Sequence, residues 1–253
     1  MEGKWVIRTY KSGRVVEKSK FWVPTKVQVR RGRVKGTTSA AKRDSNAKAA
    51  VRVLARKLNC NCQGGDILLT VKFDDAHLPA DHKGVDKAVE NFMRRLKRAM
   101  QKLGRDVRAI IVPSDIDGAT GRPVRAHAHI VLMGSGIRFC EGKWLVGDKP
   151  LQAIWGNGSA YAEPLHDQPD YTPLAVYLMR QARRGENEKK WTCTRNLLEP
   201  EIRETEARTG AALRQPARAL LLEEGEYHAE NGCHYIRYLA PESSKAGDEV
   251  RRE

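Results

Sequence analysis

The stretch from about Val85 to Leu103 constrains the fold more than any other part of the chain. Val89, Phe92, Met93, Leu96, Met100 and Leu103 recur at spacings of three and four, which on a 3.6-residue helix gathers them into one apolar stripe. A stripe of that length has to be covered, and the flanking sequence supplies a sheet to cover it. Ile67 to Phe73 is an apolar run of strand length, set off by Gly64-Gly65-Asp66. Val107 to Val112 and Arg125 to Met133 read as two further strands around the turn-rich stretch Asp115 to Pro123. The order strand, helix, strand, strand predicts an α+β fold, an antiparallel central sheet with helices packed on one side.

The remaining segments are placed around that unit. Residues 4–34 read as short strands around Gly13 and Pro24, Lys26 to Arg30 among them, and Gly32 to Lys42 has the small and basic composition of an arm. A helix is expected from about Ser45 to Leu58, with Ala49, Val53 and Leu54 on one face. Pro150 to Trp155 reads as a helical turn, Tyr161 to Leu165 as an edge strand, and Thr172 to Arg184 as a helix with Pro173 in its first turn. Beyond Pro200 the pattern weakens until Tyr235 to Leu239, a late strand. The expected division is a basic region of strands and arm over 1–44, a main domain over 45–240 and a disordered charged tail over 241–253.

Charge narrows the function. Lysine plus arginine number 46 against 31 acidic residues, a formal +15, which suggests a polyanionic partner because cations near phosphates release condensed counterions. With 40% hydrophobic residues and 11 prolines, the chain is too apolar to be a disordered basic tail. No run approaches the ~20 apolar residues that span a bilayer. The opening Met1-Glu2-Gly3-Lys4-Trp5 lacks the pattern of a signal peptide, so a cytoplasmic location is expected. The five cysteines show no C-x-x-C spacing and read as reduced thiols rather than as disulfides or a zinc site. A G-x-x-x-x-G-K-[ST] phosphate loop is absent, as are G-x-S-x-G, H-E-x-x-H and kinase signatures. No nucleotide cofactor is expected, and any strand unwinding falls to a partner.

Chemistry concentrates in two places. His127-Ala128-His129 precedes Ile130-Val131-Leu132; residues two apart on a strand project from one face about 7 Å apart, close enough to share one metal ion. Alternatively the two are surface or core histidines of a half-buried strand. A hard cation that handles phosphate also wants oxygen, and Asp115 and Asp117 lie where a hairpin could bring one alongside, although Asp115-Ile116-Asp117-Gly118 is also ordinary loop composition. The second place is Tyr177, with Arg180 and Gln181 one helical turn on. A phenol attacking a phosphodiester needs its developing charge stabilised, work suited to a metal and an arginine; the competing reading is a packing tyrosine. Tyr171 precedes that helix.

The order of strand, long helix, paired histidines and later tyrosine resembles the HUH endonucleases, specifically the rolling-circle replication initiators of filamentous phages and related plasmids. Asn46 to Asp75 looks like the family's helix leading into its first catalytic strand. Trp155-Gly156-Asn157-Gly158 and Thr194-Arg195-Asn196-Leu197 with Pro200 look like its W-x-x-G and S-R-N-L-x-x-P segments. The likeness spans about Val16 to Leu239 and implies a ferredoxin-like or RRM-like sheet. Conjugative relaxases carry their tyrosines before the histidines, and single-tyrosine transposases are typically shorter.

Carried over residue by residue, the resemblance makes His127 and His129 the metal pair for magnesium or manganese, Asp115 the third ligand, with Asp117 and Ser114 as alternatives, and Tyr177 the nucleophile. Arg180 stands where the family usually has lysine; it keeps a cation but removes a group able to give up a proton. The implied activity is metal-dependent nicking and rejoining of single-stranded DNA at a replication origin through a 5'-phosphotyrosine intermediate. Host helicase and polymerase are the implied partners. Arg122, Arg125, Arg183 and Arg184, with Arg30, Arg31, Arg33 and Lys35 in the arm, are candidates for the DNA backbone, and Trp155 and Trp191 for base stacking or for the core. A relaxase or transposase with the same chemistry, or a non-catalytic basic module binding single strands, remains open at this level.

Overall fold

The computed structural model describes residues 2–25, 40–182, 189–227 and 233–242. The chain opens with a hairpin of β1 (Gly3–Ser12) and β2 (Val15–Pro24), followed by α1 (Ala40–Asn61). Next come β3 (Ile67–Phe73), α2 (His82–Gln101), β4 (Arg108–Ile116) and β5 (Pro123–Met133). Short strands β6 (Arg138–Cys140), β7 (Lys143–Val146) and β8 (Lys149–Pro150) lead to α3 (Leu151–Trp155), β9 (Gly158–Pro164), α4 (Thr172–Gln181) and β10 (Thr192–Cys193). Then follow β11 (Glu201–Ala207), β12 (Leu220–Tyr227) and β13 (Cys233–Leu239). The class is α+β with antiparallel sheets, as expected. No described helix is long and apolar enough to cross a membrane.

The chain divides into two compact units, Met1–Cys60 together with Glu199–Glu253, and Asn61–Leu198. The expected body over 45–240 is therefore shared between two units, and the expected boundary near residue 45 falls inside α1. In the first unit five strands run in the order β11-β1-β2-β13-β12. The β1–β2 turn depends on Gly13, whose φ of +58° lies in the left-handed region and where a Cβ would stand 2.5 Å from the Asn59 carbonyl oxygen. Among the described side chains of α1 the buried apolar ones are Leu54, Ala55 and Leu58, whereas Val53, expected on the apolar face, is exposed. Arg56 makes two hydrogen bonds, at 3.0 and 2.7 Å, to the buried Glu17 carboxylate of β2, which also accepts from the Tyr235 hydroxyl at 3.1 Å. The expected strand over Lys26 to Arg30 and the arm residues up to 39 lie outside the described residues.

The second unit carries a five-stranded sheet in the order β10-β4-β5-β3-β9. The expected helical stripe is α2, with Val85, Val89, Phe92, Leu96 and Met100 buried. It is capped by Asp81, whose carboxylate accepts from the Gly84 N–H at 2.7 Å. The stripe packs against Ile67, Leu69, Val71, Phe73, Ala109, Ala128, Ile130 and Leu132, one side of the alternating pattern of β3, β4 and β5. Leu103 falls beyond the helix and is exposed. Strand β4 runs four residues past the expected end, through Pro113, Ser114, Asp115 and Ile116, with an irregularity between Ser114 and Ile116.

The two segments that look like the family's downstream motifs serve this sheet. Trp155 is buried edge-on against Phe73 and Phe92, ring centroids 5.1 and 5.5 Å away, and its indole N–H donates to the Lys72 carbonyl at 2.9 Å. It is therefore a core residue and not a stacking platform for bases. Gly158, at φ +138°, starts β9 where a Cβ would meet the Lys72 carbonyl oxygen at 2.5 Å, so only glycine lets β9 close onto β3. At the other edge the Thr194 hydroxyl accepts from the Ala109 N–H at 3.0 Å and the Asn196 amide donates to the Val107 carbonyl at 3.2 Å, holding the chain against β4.

Candidate active site

Strand register decides what stands beside the histidines. His129 pairs with Thr70 of β3 and Val112 of β4, and His127 with Lys72 and Ser114. Paired residues share a face, so both imidazoles lie opposite to the α2 layer. Their ring centroids are 5.0 Å apart. Helix α4 comes to this second face: it lies along β4, with Ala175 and Leu178 buried, and sets the Tyr177 ring edge-on to His129 at 5.7 Å between centroids. Helices thus cover both faces of the sheet, correcting the expected one-sided arrangement. The apolar residues of α4 run almost all the way round it rather than forming one stripe, so its sequence did not announce which face it would bury.

Burial weighs on both histidines. Burial first, then the neighbouring His127 and the Lys72 ammonium, lower the His129 pKa from 6.5 to about 4. His127 is lowered as well, chiefly by burial. Both rings are neutral near pH 7, as metal ligation requires. The His127 Nδ1–H donates to the Arg125 carbonyl at 2.9 Å, which leaves Nε2 with its lone pair. In His129, Nδ1 faces the Thr70 hydroxyl at 3.1 Å, and Nε2 is buried without a hydrogen-bond partner. A buried ring nitrogen left over in this way is what a cation would satisfy.

Asp115 lies near enough for its charge to raise the His127 pKa, but its carboxylate is engaged elsewhere. The strand alternation and the irregularity after Ser114 send its carboxylate toward the start of α2, where it meets His82 Nε2 at 2.7 Å. Ser114 is the residue on the histidine face, and its buried hydroxyl donates to the Ile116 carbonyl at 3.2 Å. Asp117 closes its own turn, accepting from the Ala119 and Thr120 N–H groups at 2.9 and 2.7 Å; those bonds, Thr120 first, lower its pKa. Among the described residues no three His, Cys, Asp or Glu side chains gather as a metal-holding group. The donor set that fits a cation here is two neutral imidazoles. Of magnesium and manganese, the latter accepts nitrogen ligands more readily.

The other expected site residues divide. Tyr177 and Arg180 are exposed on α4. Gln181 is not presented with them, because its side-chain oxygen accepts from the Gly118 N–H at 3.2 Å, tying the end of α4 to the β4–β5 loop. Tyr171 is buried, donates to the His166 carbonyl at 3.3 Å and has its pKa pushed up to about 12 by burial, the profile of a packing residue. Arg125 pairs with Asp75 at 2.5 Å, and Arg122 is exposed in the β4–β5 loop. Arg183 and Arg184, like Arg30, Arg31, Arg33 and Lys35, lie outside the described residues. Two residues of the site were missed in the sequence: Thr70, which orients His129, and Lys72, the cation beside His127. The signal was present, since Leu68, Thr70 and Lys72 are the alternate, less apolar positions of β3, but their pairing partners become known only with the register. No family model, curated protein or solved structure matches this chain.

Proposed function

We propose that this chain is a nicking and joining enzyme for single-stranded DNA of the HUH type, acting at a replication origin through Tyr177. The observation that carries the reading is the meeting, on one sheet face, of two neutral imidazoles and an exposed phenol whose ring lies 5.7 Å from the nearer imidazole. His127 and His129 would hold manganese or magnesium, which when bound supplies positive charge that polarises the scissile phosphoryl group. The Tyr177 oxygen forms a bond to phosphorus as the bond from phosphorus to the 3'-oxygen breaks. The phenolic proton leaves to water, which reaches a side chain 43% exposed, and the departing 3'-oxygen takes a proton from water. The products are a 5'-phosphotyrosine and a free 3'-hydroxyl that a polymerase can extend. One phosphodiester replaces another of similar energy, so attack by a 3'-hydroxyl reseals the strand without a nucleotide cofactor.

Arg180, one turn along α4, holds positive charge near the phosphate throughout, because guanidinium does not give up its proton. The arrangement of Thr70 and the Arg125 carbonyl keeps both rings fixed for the exchange. The test is a random pool of single-stranded oligonucleotides incubated with the protein and manganese. A covalent adduct that survives denaturant and disappears in Tyr177→Phe supports the reading. Salt-sensitive binding with no adduct from any oligonucleotide supports a non-catalytic binding module instead.

A further inference from the structure

The histidine face is covered over β4 by α4, half-buried at Leu68 and Thr70 of β3, and exposed at Lys72 and along β9. On β9 the residues alternate: Ala162 is buried on the α2 side while Ser159, Tyr161 and Glu163 are exposed. Register puts those three on the histidine side, with Ser159 paired to Lys72, Tyr161 to Thr70 and Glu163 to Leu68. Two rows therefore cross the sheet side by side, Tyr161–Thr70–His129 and Ser159–Lys72–His127. Tyr161 is 62% exposed, a large ring left open to solvent on the edge strand β9, and Lys72 is exposed in the neighbouring row. Adjacent strands are about 4.8 Å apart, so the Tyr161 backbone stands roughly 10 Å from that of His129, about the reach of one to two nucleotides along an extended strand.

We propose that this open shelf is the track for the single-stranded DNA leading away from the scissile phosphate, with Tyr161 stacking on a base and Lys72 neutralising the phosphate between that base and the histidine pair. This rests on the nicking reading for its direction and register, while the binding chemistry stands on the shelf itself. An aromatic face accepts any base, and a lysine reads only charge, so the shelf contributes affinity and placement without sequence preference. Glu163, at the level of Leu68, repels phosphate and sets the side on which the backbone cannot pass. The chain's surplus of cations and the continuity of the shelf with Tyr177 and the histidines favour DNA as the occupant over a protein partner.

The test uses the full chain, a fluorescein-labelled oligothymidylate and EDTA, so that no cleavage takes part. Tyr161→Ala weakens binding roughly tenfold or more while Tyr161→Phe, which keeps the ring, stays within about twofold of wild type. Lys72→Ala lowers the slope of log affinity against log salt by about 0.7, the value for one phosphate contact on a single strand. Equal unfolding midpoints for the variants verify that the sheet is intact. Failure of wild type to bind, unchanged binding in Tyr161→Ala, or an equal loss in Tyr161→Phe overturns the shelf. Adduct formation at Tyr177 is scored separately. Adduct with insensitive shelf variants sinks the shelf alone; binding that depends on Tyr161 with no adduct anywhere keeps the shelf and sinks the nuclease.

Discussion

Lowering the pH in the absence of metal should destabilise the Asn61–Leu198 unit through His129. The ring is 4% exposed, so its shift needs little discount for solvent screening. In the folded state its pKa is about 4 against 6.5 for an ordinary histidine. Between those values the unfolded chain binds a proton that the folded chain refuses, so unfolding is favoured as pH falls. The stabilisation is complete above pH 6.5 and is lost as the pH drops toward 4. At about 1.4 kcal/mol per pKa unit the loss amounts to ~3 kcal/mol, and His127, lowered in the same direction, adds to it. The assay is urea unfolding in EDTA from pH 7.5 to 4, read on β3 and β5 amide signals so that the transition belongs to this unit. Wild type should lose ~3 kcal/mol more over that range than His129→Gln. Parallel curves for the two proteins, or an imidazole resonance of His129 titrating near 6.5, would refute the burial argument.

Other substitutions separate the roles assigned above. His127→Ala should weaken manganese binding at least tenfold, whereas Asp115→Asn, which alters the partner of His82, should leave it within about twofold; isothermal calorimetry distinguishes the two. Arg180→Ala should slow adduct formation on the order of a hundredfold with the unfolding midpoint unchanged, the loss typical of one charge-stabilising donor. Trp155→Ala should cost about 3–5 kcal/mol, from the cavity between Phe73 and Phe92 and the stranded Lys72 carbonyl, measurable by denaturant unfolding.

Where apolar spacing was strong, the fold was legible before any coordinates. Strand β3 matches its expected limits and α2 differs by about three residues, because burial on one side leaves a clean stripe. The extension of β4 was hidden because Ser114, Asp115 and Asp117 have turn composition, and a strand end held by backbone pairing carries no hydrophobic signature. Strands β11 and β12 were missed for a related reason. Glu201–Ala207 has only Ile202 and Ala207 apolar, Ile202 exposed, and is an edge strand whose acidic side chains reach Arg8 and Lys4 of β1. At the site, the histidine spacing and the tyrosine helix were readable as types and periods. Which face Asp115 would take depended on a local irregularity, and the company of Thr70, Lys72 and Tyr161 depended on register between segments far apart in sequence. Neither quantity is written in a single stretch of chain.

Whether a phenol beside two buried imidazoles exchanges phosphodiester bonds is read by mass spectrometry of the protein after incubation with single-stranded DNA and manganese, followed by protease and nuclease digestion. The expected result is a nucleotide phosphate on the peptide carrying Tyr177, joined by way of the 5' side of the cut, and none when EDTA replaces manganese. Adduct mass on a different residue, or cleaved DNA with no protein-linked intermediate, would contradict it.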